Sequence, residues 1–381
     1  MIPRTLFDVE HEQLRDSFRK FLEAEVVPNY TQWEKDGQVD RELWRKAGEQ
    51  GFLVTSMPEK YGGLAADYRP GIVIAEECAK LGFGSLTFPA HSDIIVPYII
   101  HHGTDTQKQK YLPGCLSGDI VTAIAMTEPG TGSDLQGVKT SAVLDNDEYI
   151  INGSKTFISN GQLADIVIVV CKTGKEIKGG SGISLIIVEA DTPGFEKGRN
   201  LEKIGMKAQD TSELFFNDVR VPKGNLLGHE GMGFKYLMQE LPQERISIAI
   251  EAIAVAEEIF ARTVEYVKER HAFGSPIAAF QNTQFKLAEM DAEITSIRVF
   301  VDRCLELHLD KKLDSVTAAK AKLLATELVI GIVSRCLQLH GGYGYTWDYP
   351  VARAFADTRA MAIFGGTSEI MKLIIGRTLL A

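Results

Sequence analysis

Apolar residues recur at helical spacing near both ends of the chain and cluster in short β-rich runs in the middle. Leu14, Phe18, Phe21 and Leu22 follow the helical period, as do Ile72, Ile74, Ala75, Cys78 and Ala79, the pattern of helices with one buried face. Pro58 and the YGGL stretch at 61–64 punctuate this region, and HHGTDTQKQKYL reads as a turn leading into a helix. From Ile120 to about Leu227 the texture changes to IVTAIAM, EYIINGSKTFIS, ADIVIVVCK, SGISLIIVEA and SELFFNDVRV, separated by Gly, Asp, Asn and Pro. These runs predict strands, spaced too closely for crossover helices, and so an antiparallel unit. Helices return from Gly233. Leu287, Met290, Ile294, Ile297, Val301 and Cys304 step by three or four, and residues 315–340 predict another long helix. Helices this apolar predict a bundle with oligomer contacts. The expected fold class is multidomain α+β: an N-terminal α-helical domain (1–119), a central β-barrel-like domain (120–230) and a C-terminal helical bundle (231–381).

Composition narrows the function. The 381 residues are ample for large cores, and 45% apolar with 24% charged residues is an ordinary globular balance. A net charge of −10 argues against a general nucleic-acid binder but leaves room for a locally basic pocket. Five cysteines without a C-x-x-C pair fit buried thiols in a reducing compartment. The N-terminal stretch turns acidic within ten residues, and runs such as ADIVIVVC are too short to span a bilayer. The expectation is a soluble, cytoplasmic protein with no membrane insertion. No strand precedes a G-x-G-x-x-G, and no Walker loop, HExxH or paired Cys/His set occurs, so no metal site is expected. The eight scattered histidines read as structural or surface residues.

Six stretches offer chemistry, each with a plainer reading beside it. AMTEPGTGSDLQGVKT (125–140) places Thr127, Gly130, Gly132 and Ser133 in a turn rich in N–H and hydroxyl groups. It is either a simple glycine-rich loop or a cradle for phosphate or a polar heterocycle. GSKTFISNG (153–161) carries Phe157 two positions from Ser159 on one strand face, which is equally ordinary core packing. ERHAFGSPIAAFQ (269–281) joins two long helices, with Arg270 either binding an anion or solvated. QLHGGYGY (338–345) ends a helix on glycines. LPQERISIA (241–249) sets Glu244 and Arg245 in the first turns of an apolar helix, where an acid is also favoured by the helix dipole. AIFGGTSEIM (362–371) brings Gly365 and Gly366 before Thr367 and Ser368, a helix entry whose backbone N–H groups are free to meet a ligand.

Together these stretches resemble the acyl-CoA dehydrogenase family, flavoproteins that desaturate acyl thioesters. MTEPGTGSD, KTFISNG, ERHAFGSPIAAFQ, QLHGGYGYTWDYPVARAFADTRA and IFGGTSEI occur in the family's order and separation across essentially the whole chain. LPQER, KLDSVTAAKA and FGGTSEIM are most similar to the family's long-chain members. The resemblance implies a helical domain, a β domain and a four-helix bundle, with FAD between the last two and partly held by a neighbouring subunit of a homotetramer. It implies that Met126, Thr127 and Ser133 line the flavin. Phe157 stands where the family often has Trp, and Ser159 where it often has Thr, with its hydroxyl near flavin N5. Arg270, Phe273 and Gln281 match the FAD-contacting helix–turn–helix, Gln338, Gly341 and Gly342 match the stretch reaching FAD across the interface, and Thr367 and Glu369 match contacts at the last motif. Ser133, Arg245, Gly365 and Gly366 fall on the substrate side.

One departure bears on the chemistry. Short- and medium-chain relatives hold the catalytic glutamate in YEGT, where this chain has Phe364 and Gly365. Long-chain and isovaleryl relatives place the base on the helix near the position of Glu244. The resemblance therefore implies Glu244 as the base, with the small Gly365 leaving room for it; a lost base is the other reading. It further implies that Glu244→Gly with Gly365→Glu restores some activity. The implied reaction is FAD-dependent α,β-dehydrogenation of an acyl-CoA to a trans-2-enoyl-CoA. The Gly365 N–H and a ribityl hydroxyl face the thioester carbonyl, and electrons pass to electron-transfer flavoprotein. The alternatives are a short branched-chain (isovaleryl-type) substrate, an oxidase, and a non-catalytic acyl-CoA or flavin-binding subunit. LTFPAHSDIIVPY (86–98) is where the acyl tail pocket is expected, with His91 either lining it or on the surface.

Overall fold

The computed structural model describes residues 2–82, 84–174 and 182–380. Helices come first: α1 (Val9–Phe21), α2 (Tyr30–Asp36), α3 (Arg41–Glu49), α4 (Arg69–Lys80), α5 (Val96–His102) and α6 (Asp105–Ser117). Their starts follow local chemistry. Asp8 caps α1 by accepting from the N–H groups of Glu10 and His11, and Thr104 with Gln107 forms a reciprocal capping box on α6. Two π turns, Leu22–Val26 and Ala90–Ile95, lie against α1 and α5 and carry no sequence signal. The second settles His91, which is neither at the surface nor a loose pocket group. Its Nε2 donates to the Cys115 carbonyl at 3.0 Å, while Nδ1 lies 2.8 Å from Thr122 Oγ1. Burial holds the imidazole down to about 4, so it ties the π turn to α6 and the sheet as a neutral ring.

The middle of the chain forms β1 (Thr122–Ala125), β2 (Ser141–Asp145), β3 (Glu148–Ser159), β4 (Ile166–Lys172), β5 (Ile183–Glu189), β6 (Phe195–Asn200), β7 (Thr211–Pro222) and β8 (Leu226–Leu227). The run predicted over 181–190 supplies β5; Ser181 lies outside the described residues. The sheet order is β6-β7-β3-β2-β4-β5-β8, with β1 beside β4. The sheet is mostly antiparallel, as expected, and two details differ. The sheet is mixed, because β1 pairs with β4 in parallel, Thr122 opposite Ile166. The crossover between them is made by a loop and the β2–β3 hairpin, so no helix is required. Among the described residues the end strands β6 and β8 do not pair, so the sheet is open and not barrel-like. β4 reads as one apolar run because both its faces are covered. Ile166, Ile168 and Val170 enter the core shared with the N-terminal helices, and Val167, Val169 and Cys171 enter a second core within the β unit.

The rest is helical: α7 (Gly233–Glu269), α8 (Gln281–Leu309), α9 (Ser315–His340), α10 (Pro350–Thr358) and α11 (Ser368–Leu379), with a β9–β10 hairpin (His271–Ala272, Ser275–Pro276) between α7 and α8. The α7–α9 core also takes in Ile72, Ala75 and Ala79 of α4, so the two helical regions share an interior. A buried ion network reinforces the join: Arg298 of α8 pairs with Glu76 of α4 at 3.0 Å, and Arg4 reaches Glu76 at 2.8 Å. Here too the sequence reading needs correction. Glu244 is not in the first turns of its helix, because α7 begins at Gly233 and runs through Pro242. Proline at that point signals a helix start, but tertiary packing carries the helix through it. The chemistry of Glu244 therefore comes from its surroundings and not from a helix N-terminus.

Candidate active site

Glu244 projects from the middle of α7 into a buried region, where its carboxylate accepts a hydrogen bond from the Tyr98 hydroxyl of α5 at 2.7 Å. Burial pushes its carboxyl up to about 7; the Tyr98 hydrogen bond opposes this and the charge of Glu240 adds to it. Glu240, one turn earlier, is in the opposite state. It faces His101 at 3.0 Å and His102 at 2.8 Å, and these partners outweigh burial and hold its carboxyl down to about 2. Environments that push two neighbouring carboxyls apart separate an acid–base group from a structural one. His101, His102 and Glu240 had no sequence signal as site residues, and Tyr98 stood only at the end of the stretch expected to line the acyl tail pocket, since the pairing of α5 with α7 exists only in the fold.

The Gly365–Gly366 turn lies on the same side of α7. Both glycines have positive φ, +63° and +94°, a conformation that other residues reach only with strain. Their N–H groups have no protein acceptor among the described residues. Thr367 caps α11 by accepting from the Ile370 N–H, and Glu369 is exposed in the first turn. A Cβ on Gly365 would come within 2.3 Å of Ile248 Cδ1. Ile248 lies one turn beyond Glu244, so this contact places the turn against the helix face that carries the glutamate. The nearest neighbour of that Cβ is a terminal side-chain methyl of Ile248 and not Glu244. Lys322 of α9 donates to the Gly366 carbonyl at 2.8 Å and fixes the turn. Arg245 is buried beside it, and burial together with the Arg245 charge lowers the Lys322 ammonium to about 8. The Arg245 Nε has no hydrogen-bond partner among the described residues.

On the β side, the 126–140 loop is anchored from within. Lys155, fully buried on β3, donates to the Met126 carbonyl at 2.9 Å and to Glu128 at 3.0 Å. Glu128 in turn accepts from the Lys139 and Thr140 N–H groups. The Thr127 hydroxyl donates to the Thr156 carbonyl at 2.7 Å. Beside this anchor β3 bulges between Lys155 and Ile158, and Phe157 is turned outward with φ +60° and 68% exposure. The Gln209 amide donates to Ser159 Oγ at 2.6 Å, which leaves the hydroxyl proton free to donate elsewhere. Ser133 is exposed, and Cβ atoms on Gly130 and Gly132 would meet nothing. An outward aromatic ring, an oriented hydroxyl and an open loop with polar groups fit a flat heterocycle with a polar rim, as FAD has.

The remaining predicted residues lie at the surface of the single chain. Arg270 stacks over Tyr343 at 5.7 Å. Phe273 at the hairpin tip is 98% exposed, and Gln281, Gln338, Gly341 and Gly342 are exposed as well. Residues of the two motifs thus meet at the Arg270–Tyr343 contact, but the contact does not enclose a site within one chain.

Residues 8–119, 123–219 and 231–380 match the sequence profiles described as acyl-CoA dehydrogenase N-terminal, middle and C-terminal domains. The chain is 51% identical over 379 residues to the mitochondrial long-chain specific acyl-CoA dehydrogenase of Mus musculus, covering 99% of this chain and 88% of that protein. It superposes on an acyl-CoA dehydrogenase from Geobacillus kaustophilus with a TM-score of 0.97 at 50% identity, covering 99% of this chain and 100% of that one. A chain solved under the description of the electron transferring flavoprotein of Acidaminococcus fermentans gives a TM-score of 0.94 at 38% identity, covering 99% and 100%. Fold, site and likeness agree on the class, and the chain belongs to the acyl-CoA dehydrogenase family. It is an FAD-dependent oxidoreductase of fatty acyl-CoA.

Proposed function

We propose that the chain desaturates long-chain acyl-CoA at Cα–Cβ, with Glu244 as the base and electrons passing to electron-transfer flavoprotein. The observation that carries this reading is a buried, Tyr98-bonded carboxylate on the helix face that packs against two unpartnered backbone N–H groups. A thioester α-proton becomes removable when the oxygen that gathers charge is met by fixed donors. The Gly365 N–H is assigned that role, and its positive φ presents the N–H without a side chain in the way. Glu244 then takes the α-proton, and a carboxyl near neutrality is suited to do so. Bound FAD supplies the two-electron acceptor for the β-hydrogen. Lys322 holds the glycine turn in register, and Arg245 is assigned to positioning the substrate. Met126, Thr127, Ser133, Phe157 and Ser159 are assigned to the flavin. Arg270, Phe273, Gln281, Gln338, Gly341 and Gly342 complete the flavin site between subunits of a homotetramer, and Thr367 and Glu369 contribute at the α11 entry. The similarity to the mouse long-chain specific enzyme supports the chain-length assignment. The five described cysteines are all buried and unpaired, which supports a reducing, cytoplasmic setting. No helix among the described residues is long and apolar enough to cross a membrane.

The test is anaerobic bleaching of bound flavin by acyl-CoAs of four to eighteen carbons, branched forms included. The expected result is a maximum among the long chains. In Glu244→Gln, flavin content and acyl-CoA binding persist while turnover falls about 10²–10⁴-fold. A maximum with isovaleryl-CoA overturns the long-chain assignment, and near-normal turnover in Glu244→Gln overturns the base. Peroxide formation in place of dye reduction would identify an oxidase.

A further inference from the structure

The Ser159 hydroxyl does not choose its own direction. Ser159 ends β3 opposite Thr211, the first residue of β7. Gln209, two residues before Thr211, reaches the same strand end, and its amide N–H donates to Ser159 Oγ at 2.6 Å. A serine hydroxyl has one proton and two acceptor positions. The amide fills an acceptor position, and no described residue accepts from the hydroxyl, so its proton is held for a partner that the described chain does not supply.

Gln209 is itself closely fixed. Its N–H donates to the Met206 carbonyl at 3.1 Å, and its carbonyl accepts from Lys203 Nζ at 2.5 Å. The turn that carries it docks on α10: the Asp357 carboxylate accepts from the Met206 N–H, and a Cβ on Gly205 would come within 2.5 Å of the Ala356 carbonyl carbon. Met206 has φ +49°, a conformation that a side chain keeps only where its surroundings impose it. On the other side of Gln209, the Asp210 carbonyl accepts from the Asn160 N–H at 3.2 Å and its carboxylate from the Gln162 N–H at 2.6 Å. The amide therefore starts from a backbone held by the sheet and by the helical bundle together. Nothing in the run KIGMKAQD marks this role, because Gln209 meets Ser159 across 50 positions of the chain.

We propose that Gln209 is a positioning residue of the flavin site, which donates to Ser159 and so turns the Ser159 proton toward an acceptor atom of the isoalloxazine ring. This rests on the assignment of Ser159 to FAD. The sense of the hydrogen bond decides the effect. A donor at position 209 keeps the serine a donor toward the flavin. An acceptor there takes the serine proton and leaves only lone pairs facing the ring's own acceptors. Gln and Glu share a shape and differ in this sense, so the two roles of position 209, filling space and orienting a proton, can be separated.

The test follows flavin bound to the holoenzyme, by its visible absorption and by its rate of release on dilution. Gln209→Leu removes the donor and releases flavin about fivefold faster, the worth of one neutral hydrogen bond. Gln209→Glu accepts the Ser159 proton; it releases flavin about tenfold faster or more and shifts the visible bands further than Gln209→Leu does. Packing alone predicts the opposite order, because Glu keeps the shape of Gln and Leu does not. In Ser159→Ala protein the two substitutions at 209 no longer differ, since no hydroxyl is left to turn. A milder effect of Gln209→Glu than of Gln209→Leu overturns the proposal, as does an effect of Gln209→Glu that persists undiminished in Ser159→Ala. Ser159→Ala alone is a small change at a half-buried position and decides the matter even where variants at 209 fold poorly: unchanged flavin absorption and release overturn the proposal. Bleaching of the wild-type flavin by acyl-CoA reports the Glu244 chemistry separately, so failure here is distinguishable from failure of the desaturase reading.

Discussion

At the scale of single residues, the site depends on two carboxylates four residues apart. Glu240 is kept ionised by His101 and His102, while burial leaves Glu244 about half ionised at pH 7. The base works only as the carboxylate, so kcat/KM rises with pH through about 7. Tyr98 donates to that carboxylate and favours its charged form, so Tyr98→Phe moves the rising limb to higher pH by roughly one unit, with the plateau largely kept. A pH–rate profile decides; an unchanged limb would mean that Tyr98 does not tune the base. Gly365 sets the second residue-scale prediction. Moving the carboxylate to position 365 forces a side chain onto φ +63° and a Cβ to 2.3 Å from Ile248 Cδ1. Glu244→Gly with Gly365→Glu is therefore expected to recover only a small part of the activity, and adding Ile248→Ala, which empties the clash, raises it. Turnover in the double variant that Ile248→Ala does not raise would show that this contact is not what limits it.

At the scale of elements, the loop assigned to the flavin and strand β3 stand or fall together. Loop 126–140 has few strand partners and is held by the buried Glu128–Lys155 pair and the two N–H groups that Glu128 accepts. Removing one member of a buried pair strands the other, at a cost of about 3–5 kcal/mol. Lys155→Met is expected to lower the melting temperature and release flavin, while Glu128→Gln, which keeps an acceptor for the loop, does both to a smaller degree. Thermal unfolding followed by released-flavin fluorescence measures the two effects together. A Lys155→Met protein that keeps both its stability and its flavin would remove the latch from the account.

At the scale of the whole molecule, two of the most exposed aromatic residues lie in motifs of the helical bundle. Phe273 is 98% exposed and Tyr345 88%, and both belong to motifs assigned to flavin contacts between subunits. In the homotetramer proposed above, a neighbouring subunit covers these residues. Phe273→Asp is expected to weaken assembly and flavin retention in parallel, read by sedimentation and by the ratio of flavin to protein. Tetramers with full flavin content after that change would place the interface elsewhere.

The order of helices, strands and helices was legible from the periods of the chain, because burial of one face imposes 3.6 or 2 on neighbouring residues. Helix α9 spans Ser315–His340, the range its apolar spacing predicts. The short strands β2 and β6 were missed, since Ser141–Asp145 sets its apolar residues side by side and Phe195–Asn200 starts on its one large apolar residue, so neither shows alternation. Glu244 and the Gly365–Gly366 turn could be named from motifs, but their partners could not. Tyr98 is 146 positions from Glu244, and Ile248 meets Gly365 only because α7 passes the α11 entry. A sequence records what each residue can bury or donate within a few neighbours. Which carboxylate loses its water, which N–H is left without an acceptor, and which strand runs parallel to β4 are set by packing across the chain, and the tertiary structure alone decided them.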